Sequence, residues 1–395
     1  MGRSGQSWTC TTGFSRPTMV AMETRRPRWR RFSSGGSRCT FRAMAVLMIF
    51  SFCIFSQVCV AERQRGEGFP SRRLLQGDPS VGEAPPVGYA ISHQIVVDAN
   101  GLGDFTTVQG AVDAVPAGNP QKIVIRINAG DYVEKVKVPS TLPFLTFQGA
   151  GASSTSISWN SIAGDTGPDG KALGSYNSAS VMVFAPNFVA RDIAFKNTAE
   201  VPPPGATGRQ GAAFRIAGDK AAFYNCEFYG GQDTLCDDTG RHYFKNCYIQ
   251  GSIDFVFGNG QSMYMASTLH SIATSTGSIA AQERESPDDT SGFAFVGCQI
   301  IGSGSNYLGR AMGKYSRIIY SECYIENIIQ PQVWDADWTH DGSNRQETVT
   351  YGMYECWGPG AATIGQPWAR TLNQVEAMPF THLDFISGQE WLPEI

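Results

Sequence analysis

FYNCEFYGGQDTLCDDTGRHYFKNCYIQGSIDFVFG, residues 223–258, contains one short pattern twice. An aromatic residue is followed three positions on by Cys, two further by an apolar residue and two further by Gly. The copies are Phe223, Cys226, Phe228, Gly230 and, 21 residues later, Phe244, Cys247, Ile249, Gly251. The pattern returns as Phe295, Cys298, Ile300, Gly302 and as Tyr320, Cys323, Ile325, Asn327, and a degraded copy precedes it at Ile193, Phe195, Asn197. Asn327 fits the last position because Asn, like Gly, tolerates a left-handed turn. Repeats of this length imply a solenoid, in which each unit buries its apolar face against its neighbours. A period of roughly 21–25 residues is too short for paired helices and suits one coil of a parallel β-helix. The expected fold is therefore all-β, a right-handed parallel β-helix with equivalent residues stacked about 5 Å apart.

That register brings two carboxylates together. Asp233 lies seven residues after Cys226 and Asp254 seven after Cys247, so the two should stand side by side on adjacent coils. Gln232 precedes the first, and Gln210 lies 23 residues before Asp233, about one coil away. Asp and Gln are ordinary turn residues, but paired carboxylates beside side-chain amides can also move protons and donate hydrogen bonds.

Around these positions the chain resembles the plant pectinesterases (pectin methylesterases). The resemblance rests on residues 231–235 (GQDTL), 254–258 (DFVFG) and 308–310 (LGR), with support from 130–134 (GDYVE), 192–198 (DIAFKNT), 210–215 and 351–361. It runs from about Ile95 to the C-terminus. It implies removal of methyl esters from pectin, with methanol released and no metal or organic cofactor. Asp254 would be the nucleophile, and Asp233 the acid that protonates methanol and then the base that activates water. Arg310 would hold Asp254 ionised, and Gln210 and Gln232 would donate to the oxyanion. Phe257 and Trp334 match positions that contact the substrate chain. Two departures stand out, Met312 where the family commonly has Trp and Cys236 where it commonly has Tyr. Both remove flat polar-edged surface near the expected cleft. The resemblance also implies methyl-esterified pectin and a proteinaceous inhibitor as partners, action as a monomer, and a place in the cell wall.

Composition agrees with a turn-rich solenoid, since the 395 residues include 44 Gly and only 17% are charged. The net charge of −4 is uneven: residues 1–61 carry nine Arg and one Glu, and the rest carries 22 basic and 34 acidic residues. An acidic domain without a basic stripe argues against a nucleic-acid partner. Six cysteines lie beyond residue 61, at 226, 236, 247, 298, 323 and 356. Four occupy one repeat position, where they are expected as mostly free, buried thiols; a Cys226–Cys247 bridge is the rival.

Residues 1–61 read as a basic extension followed by a secretory signal at 43–61, residues 62–90 as a linker and 91–395 as the catalytic domain. A retained membrane anchor competes with the cleaved signal. Arg72-Arg73 in the linker resembles a processing motif. Residues 105–115 should form a short helix capping the first coil, with Thr106 and Gln109 as a capping box. Residues 372–392 should lay one helix along the solenoid, anchored by Trp391.

The chain contains no G-x-S-x-G elbow, and His242 falls five residues before its cysteine, on a different side of the coil from the carboxylates. Asp237-Asp238 reads as a solvated turn. Two other functions compete with the esterase: a pectin lyase or glycoside hydrolase on the same fold, and a non-catalytic wall-binding solenoid.

Overall fold

The computed structural model describes residues 94–338, 345–361 and 366–392. The signal, linker and processing readings fall on residues 1–93, outside the described residues. Every pairing between the described strands is parallel, and most coils carry three short strands, one on each face. An eleven-stranded sheet running from Gln94–Val97 to Arg370–Thr371 forms face one. Faces two and three are the arms of a fourteen-stranded sheet folded at the long strand Thr268–Gln282. The first half of that strand pairs with Tyr248–Gly251 on face two and its second half with Val256–Gly258 on face three. This is a right-handed parallel β-helix.

The repeated pattern maps onto the coil closely. The aromatic position points inward on face one and stacks between coils. Phe223, Phe244, Tyr264, Phe295 and Tyr320 form a ladder with successive ring centroids 4.6, 4.5, 4.7 and 4.6 Å apart. Tyr264 belongs to a coil that lacks the full pattern, because Ser267 stands where the others have Cys. The repeat cysteines begin face two, whereas Cys236 lies on face three. All six are free and all but Cys356 are buried; the thiols of Cys247, Cys298 and Cys323 donate to main-chain carbonyls of the preceding coil.

The left-handed corner lies elsewhere than expected. Of the pattern's last positions only Gly302 (φ 121°) adopts positive φ, while Asn327, Gly230 and Gly251 do not; the residue just before each repeat cysteine does. Asn225 (φ 52°), Asn246 (φ 54°), Gly297 (φ 60°) and Glu322 (φ 57°) turn the chain from face one to face two, as does Ala266 (φ 49°) on the serine coil. Gly251 is needed instead for close approach: a Cβ there would lie 2.2 Å from that of Phe255 and 2.8 Å from the Gly231 carbonyl oxygen.

The ends depart from expectation in detail. The helix Val108–Asp113 covers the first coil with Val108, Ala111 and Val112 buried. Its cap is Thr107, not Thr106, with Oγ1 accepting from Gly110 N. The partner of Gln109 is not the cap; Glu134 reaches across from the coil and accepts from Val108 N and Gln109 N at 2.7 and 2.8 Å. The tail forms not one helix but three pieces. An α-helix, Gln374–Thr381, with an Asn373/Glu376 capping box, leads into 3₁₀ turns Leu383–Ile386 and Gly388–Glu390. Pro379 removes a backbone donor from the helix and Ser387 (φ 49°) turns the chain. Phe385 and Ile386 bury the outward side chains of Ala222, Tyr243, Met263 and Ala294 on face one, and Trp391 packs beside them.

Candidate active site

Asp233 and Asp254 both lie at the corner between faces two and three, in left-handed conformation (φ 63° and 49°). Asp tolerates this better than most residues, and strained backbone of this kind gathers at functional sites. Leu235 pairs with Val256, Gln232 bridges Ile253, and Asp233 N donates to Ile253 O at 3.1 Å, so the two aspartates occupy equivalent positions one coil apart. Gln210 lies one coil before, next to Gly211, whose N–H donates to Gln232 O.

Arg310 comes from two coils further on, at the end of the strand Gln299–Arg310. Its Nη1 donates to Asp254 Oδ2 at 2.9 Å and its Nε to Asp335 Oδ2 at 3.0 Å. The Trp338 ring lies 4.5 Å from the guanidinium carbon. Asp254 is 4% exposed, and its Oδ1 meets no hydrogen-bond donor among the described residues. The Asp233 carboxylate is not in contact with Arg310 and accepts instead from Ser175 Oγ at 2.6 Å.

These surroundings separate the pair. Burial, and then the charge of Asp254, push the pKa of Asp233 up to about 8. Burial also raises that of Asp254, but the guanidinium in direct contact opposes the shift. When one proton is shared between them, it therefore resides on Asp233.

Both aspartates open into a cleft of about 340 Å³ lined also by Ser175, Tyr176, Gln210, Gln232, Phe257, Arg310, Met312 and Trp338. A second hollow of about 380 Å³ shares Gln232 and Arg310 with the first, so the depression continues along the solenoid. Tyr176 meets Phe257 edge-on at 5.5 Å and donates to Glu283 Oε2. Cys236 lies wholly buried in the same apolar cluster as Phe257, Met312 and Trp338.

Trp334 is a correction. It is 3% exposed and packs in the solenoid core against Tyr351 (4.7 Å) and Tyr320 (6.0 Å), away from the cleft. The tryptophan at the site is Trp338, in the same W-D-A-D-W run, where only the four-residue offset distinguished the two. Ser175, Tyr176 and Asp335 carried no sequence signal. Asp237 is another correction, for it is not solvated but fully buried, accepting from Tyr264 Oη at 2.5 Å and contacting His242 Nδ1. Asp238 pairs with Arg215. Among the described residues no group of three or more His, Cys, Asp or Glu is gathered so as to hold a metal ion.

The pectinesterase family model matches residues 94–389, which include every residue of this cleft. The chain belongs to the pectinesterase family. It is 50% identical over 301 residues to Pectinesterase QRT1 of Arabidopsis thaliana, covering 75% of this chain and 78% of that one. Probable pectinesterase 8 of the same plant is 43% identical over 317 residues, 78% of each chain. Among solved structures, the pectin methylesterase from carrot superposes with a TM-score of 0.69 at 34% identity, covering 78% of this chain and 97% of the other. Pectin methylesterase PemA from Erwinia chrysanthemi shares the fold, with a TM-score of 0.65 at 21% identity over 76% of this chain and 98% of its own. The chain is thus a pectinesterase, a carboxylic ester hydrolase on a parallel β-helix.

Proposed function

We propose that this pectinesterase removes methyl esters from the galacturonate units of pectin by a two-step, aspartate-only mechanism. The reading is carried by one observation, two stacked aspartates of which only Asp254 touches an arginine. Asp254 attacks the ester carbonyl through the oxygen not held by Arg310. Charge developing on the carbonyl oxygen is met by the side-chain amides of Gln210 and Gln232. As the tetrahedral adduct collapses, protonated Asp233 gives its proton to the departing methoxide, and methanol leaves an acyl-Asp254 anhydride. Asp233, now a carboxylate, takes a proton from water; the resulting attack releases the pectin carboxylate and restores both aspartates. Phe257, Met312 and Trp338 offer the apolar side of the cleft to sugar rings.

Methanol release from methylated pectin by residues 62–395 is the deciding assay; it separates the esterase from a wall-binding solenoid, and an unsaturated product would indicate a lyase. Asp254→Ala should abolish turnover with the fold intact, and Asp233→Asn should leave no burst of methanol. Activity near wild type in either variant removes that residue from its role. Secretion to the cell wall, through the apolar run at residues 43–61, fits a polymeric wall substrate, as does action by a single chain open to a proteinaceous inhibitor. Among the described residues no helix is long and apolar enough to cross a membrane.

A further inference from the structure

Arg310 is shared between two carboxylates, and the esterase chemistry uses only one of them. Asp335 stacks directly on it, since Arg310 and Asp335 are register partners on neighbouring strands and Ala311 N donates to Asp335 O at 2.9 Å. The Asp335 carboxylate is fixed at both oxygens. Oδ1 accepts from Asp337 N at 3.0 Å and Oδ2 from Arg310 Nε at 3.0 Å. It is 9% exposed, and the guanidinium it holds is covered by Trp338.

We propose that Asp335 is a positioning residue of the esterase site, clamping the Nε edge of Arg310 so that Nη1 is aimed at Asp254 while offsetting part of the charge that Asp254 feels. The geometric part follows from the shape of guanidinium. Its donors lie in one plane, so fixing the Nε–H direction leaves no freedom to the Nη1–H that meets Asp254. With that edge released, Arg310 could turn about its last torsion and its contact with Asp254 would loosen. The electrostatic part follows from counting charges. Ionised Asp254, ionised Asp335 and Arg310 together carry one negative charge, where Asp254 and Arg310 alone would be neutral. Asp335 therefore makes ionisation of Asp254 harder. The other titratable or charged groups facing this cluster are Asp233, one coil before Asp254; Tyr307, which shares the adjoining hollow with Arg310 and Asp335; Asp337, whose N–H meets Asp335; Tyr351, within electrostatic reach of Asp335 and Arg310; and Arg345, which donates to the Ala311 and Met312 carbonyls. The result is a nucleophile whose carboxylate Arg310 supports without over-stabilising it, so that it retains basicity for attack on the ester.

The inference rests on Asp254 being the nucleophile, and two substitutions at 335 separate its parts. Asp335→Asn keeps the shape and an acceptor for Nε while removing the charge. Its acid limb of kcat/KM should move to lower pH by about one unit, the scale on which one neighbouring charge shifts a carboxylate. Asp335→Ala releases the clamp, and kcat at the pH optimum should fall at least about tenfold with KM little changed, the pattern of an interaction made in the transition state. Melting curves for both variants show whether the fold is kept; an Ala variant that does not fold leaves the Asn profile to decide. An acid limb that stays in place for Asn overturns the electrostatic role, and a wild-type kcat for a folded Ala variant overturns the clamp. Asp254→Ala, run alongside, tests the nucleophile itself: turnover surviving there would sink the mechanism and not merely the part given to Asp335.

Discussion

At the scale of single residues, the site works by giving two identical side chains different neighbours. Asp233 is lifted to about 8 by burial and by Asp254, which suits the proton-donor role proposed for it, and on that proposal turnover should decline above about pH 8 as that proton is lost. Ser175 hydrogen-bonds the carboxylate and restrains the rise, so Ser175→Ala should carry the alkaline limb of kcat/KM to higher pH. Stability has the same sign logic. A carboxyl whose folded pKa is raised stays protonated in the native state after the unfolded chain has ionised, so its contribution is full below pH 4 and is lost as pH rises towards 8. Asp233→Asn escapes that loss, and its melting temperature should exceed wild type at pH 8 and match it at pH 3.5; equal differences at both would refute the buried acid. Met312 belongs to the apolar cluster beside Trp338. Met312→Trp should lower KM for methylated pectin with little change in kcat, a gain of about 1 kcal/mol for an added aromatic contact; paired Michaelis curves on one pectin batch decide it. That Asp233, Asp254, Gln210 and Gln232 come together was legible because a fixed register turns sequence spacing into proximity, whereas Arg310 was reached only through the resemblance of residues 308–310. Ser175, Tyr176 and Asp335 were not legible, because they arrive from a short helix outside the strand pattern and from a coil whose strand is only two residues long.

At the scale of the coil, strands are joined by tight corners, and the left-handed residue before the cysteine is where local sequence and fold disagree. Ala266 holds a left-handed φ of 49° with its side chain exposed. Such a conformation costs a non-glycine residue about 1–2 kcal/mol, of which the added freedom of glycine in the unfolded chain returns about 0.5–1 kcal/mol. Ala266→Gly should therefore raise the midpoint of chemical denaturation slightly without touching activity; a lower midpoint would mean that the corner is not strained. The coil was readable in outline from the aromatic–Cys–apolar spacing, because inward side chains at fixed intervals are what a stacked core demands. The corner lies five residues before the glycine that ends the pattern: it is made by Asn, Glu, Ala or, at position 297, Gly in left-handed conformation, whereas Gly251 serves close contact. Ser267 hid one coil altogether, a polar group standing where a buried thiol stands in its neighbours.

At the scale of the whole solenoid, chemistry and closure are on different sides. The cleft opens at the corner of faces two and three, while the C-terminal pieces cover face one, with Ile386 fully buried against it. Ile386→Ala should cost about 2–5 kcal/mol of stability, yet leave KM and kcat unchanged at a temperature where the chain stays folded. A changed KM would mean that the tail reaches the cleft after all. The tail's placement was only partly foreseeable: its apolar residues announce a docking surface, but Pro379 and Ser387 break what periodicity would make continuous.

The row of rings inside face one has a consequence for light. Five nearly parallel aromatic chromophores under 5 Å apart, ending at Tyr320 with Trp334 6.0 Å away, form a chiral, rigid antenna. Tyr264 and Tyr320 should give intense near-ultraviolet circular dichroism, and energy absorbed by Tyr320 should emerge as tryptophan emission. Both signals require the rungs to keep their spacing, so they would vanish together when the stack loosens, even while far-ultraviolet β signal persists.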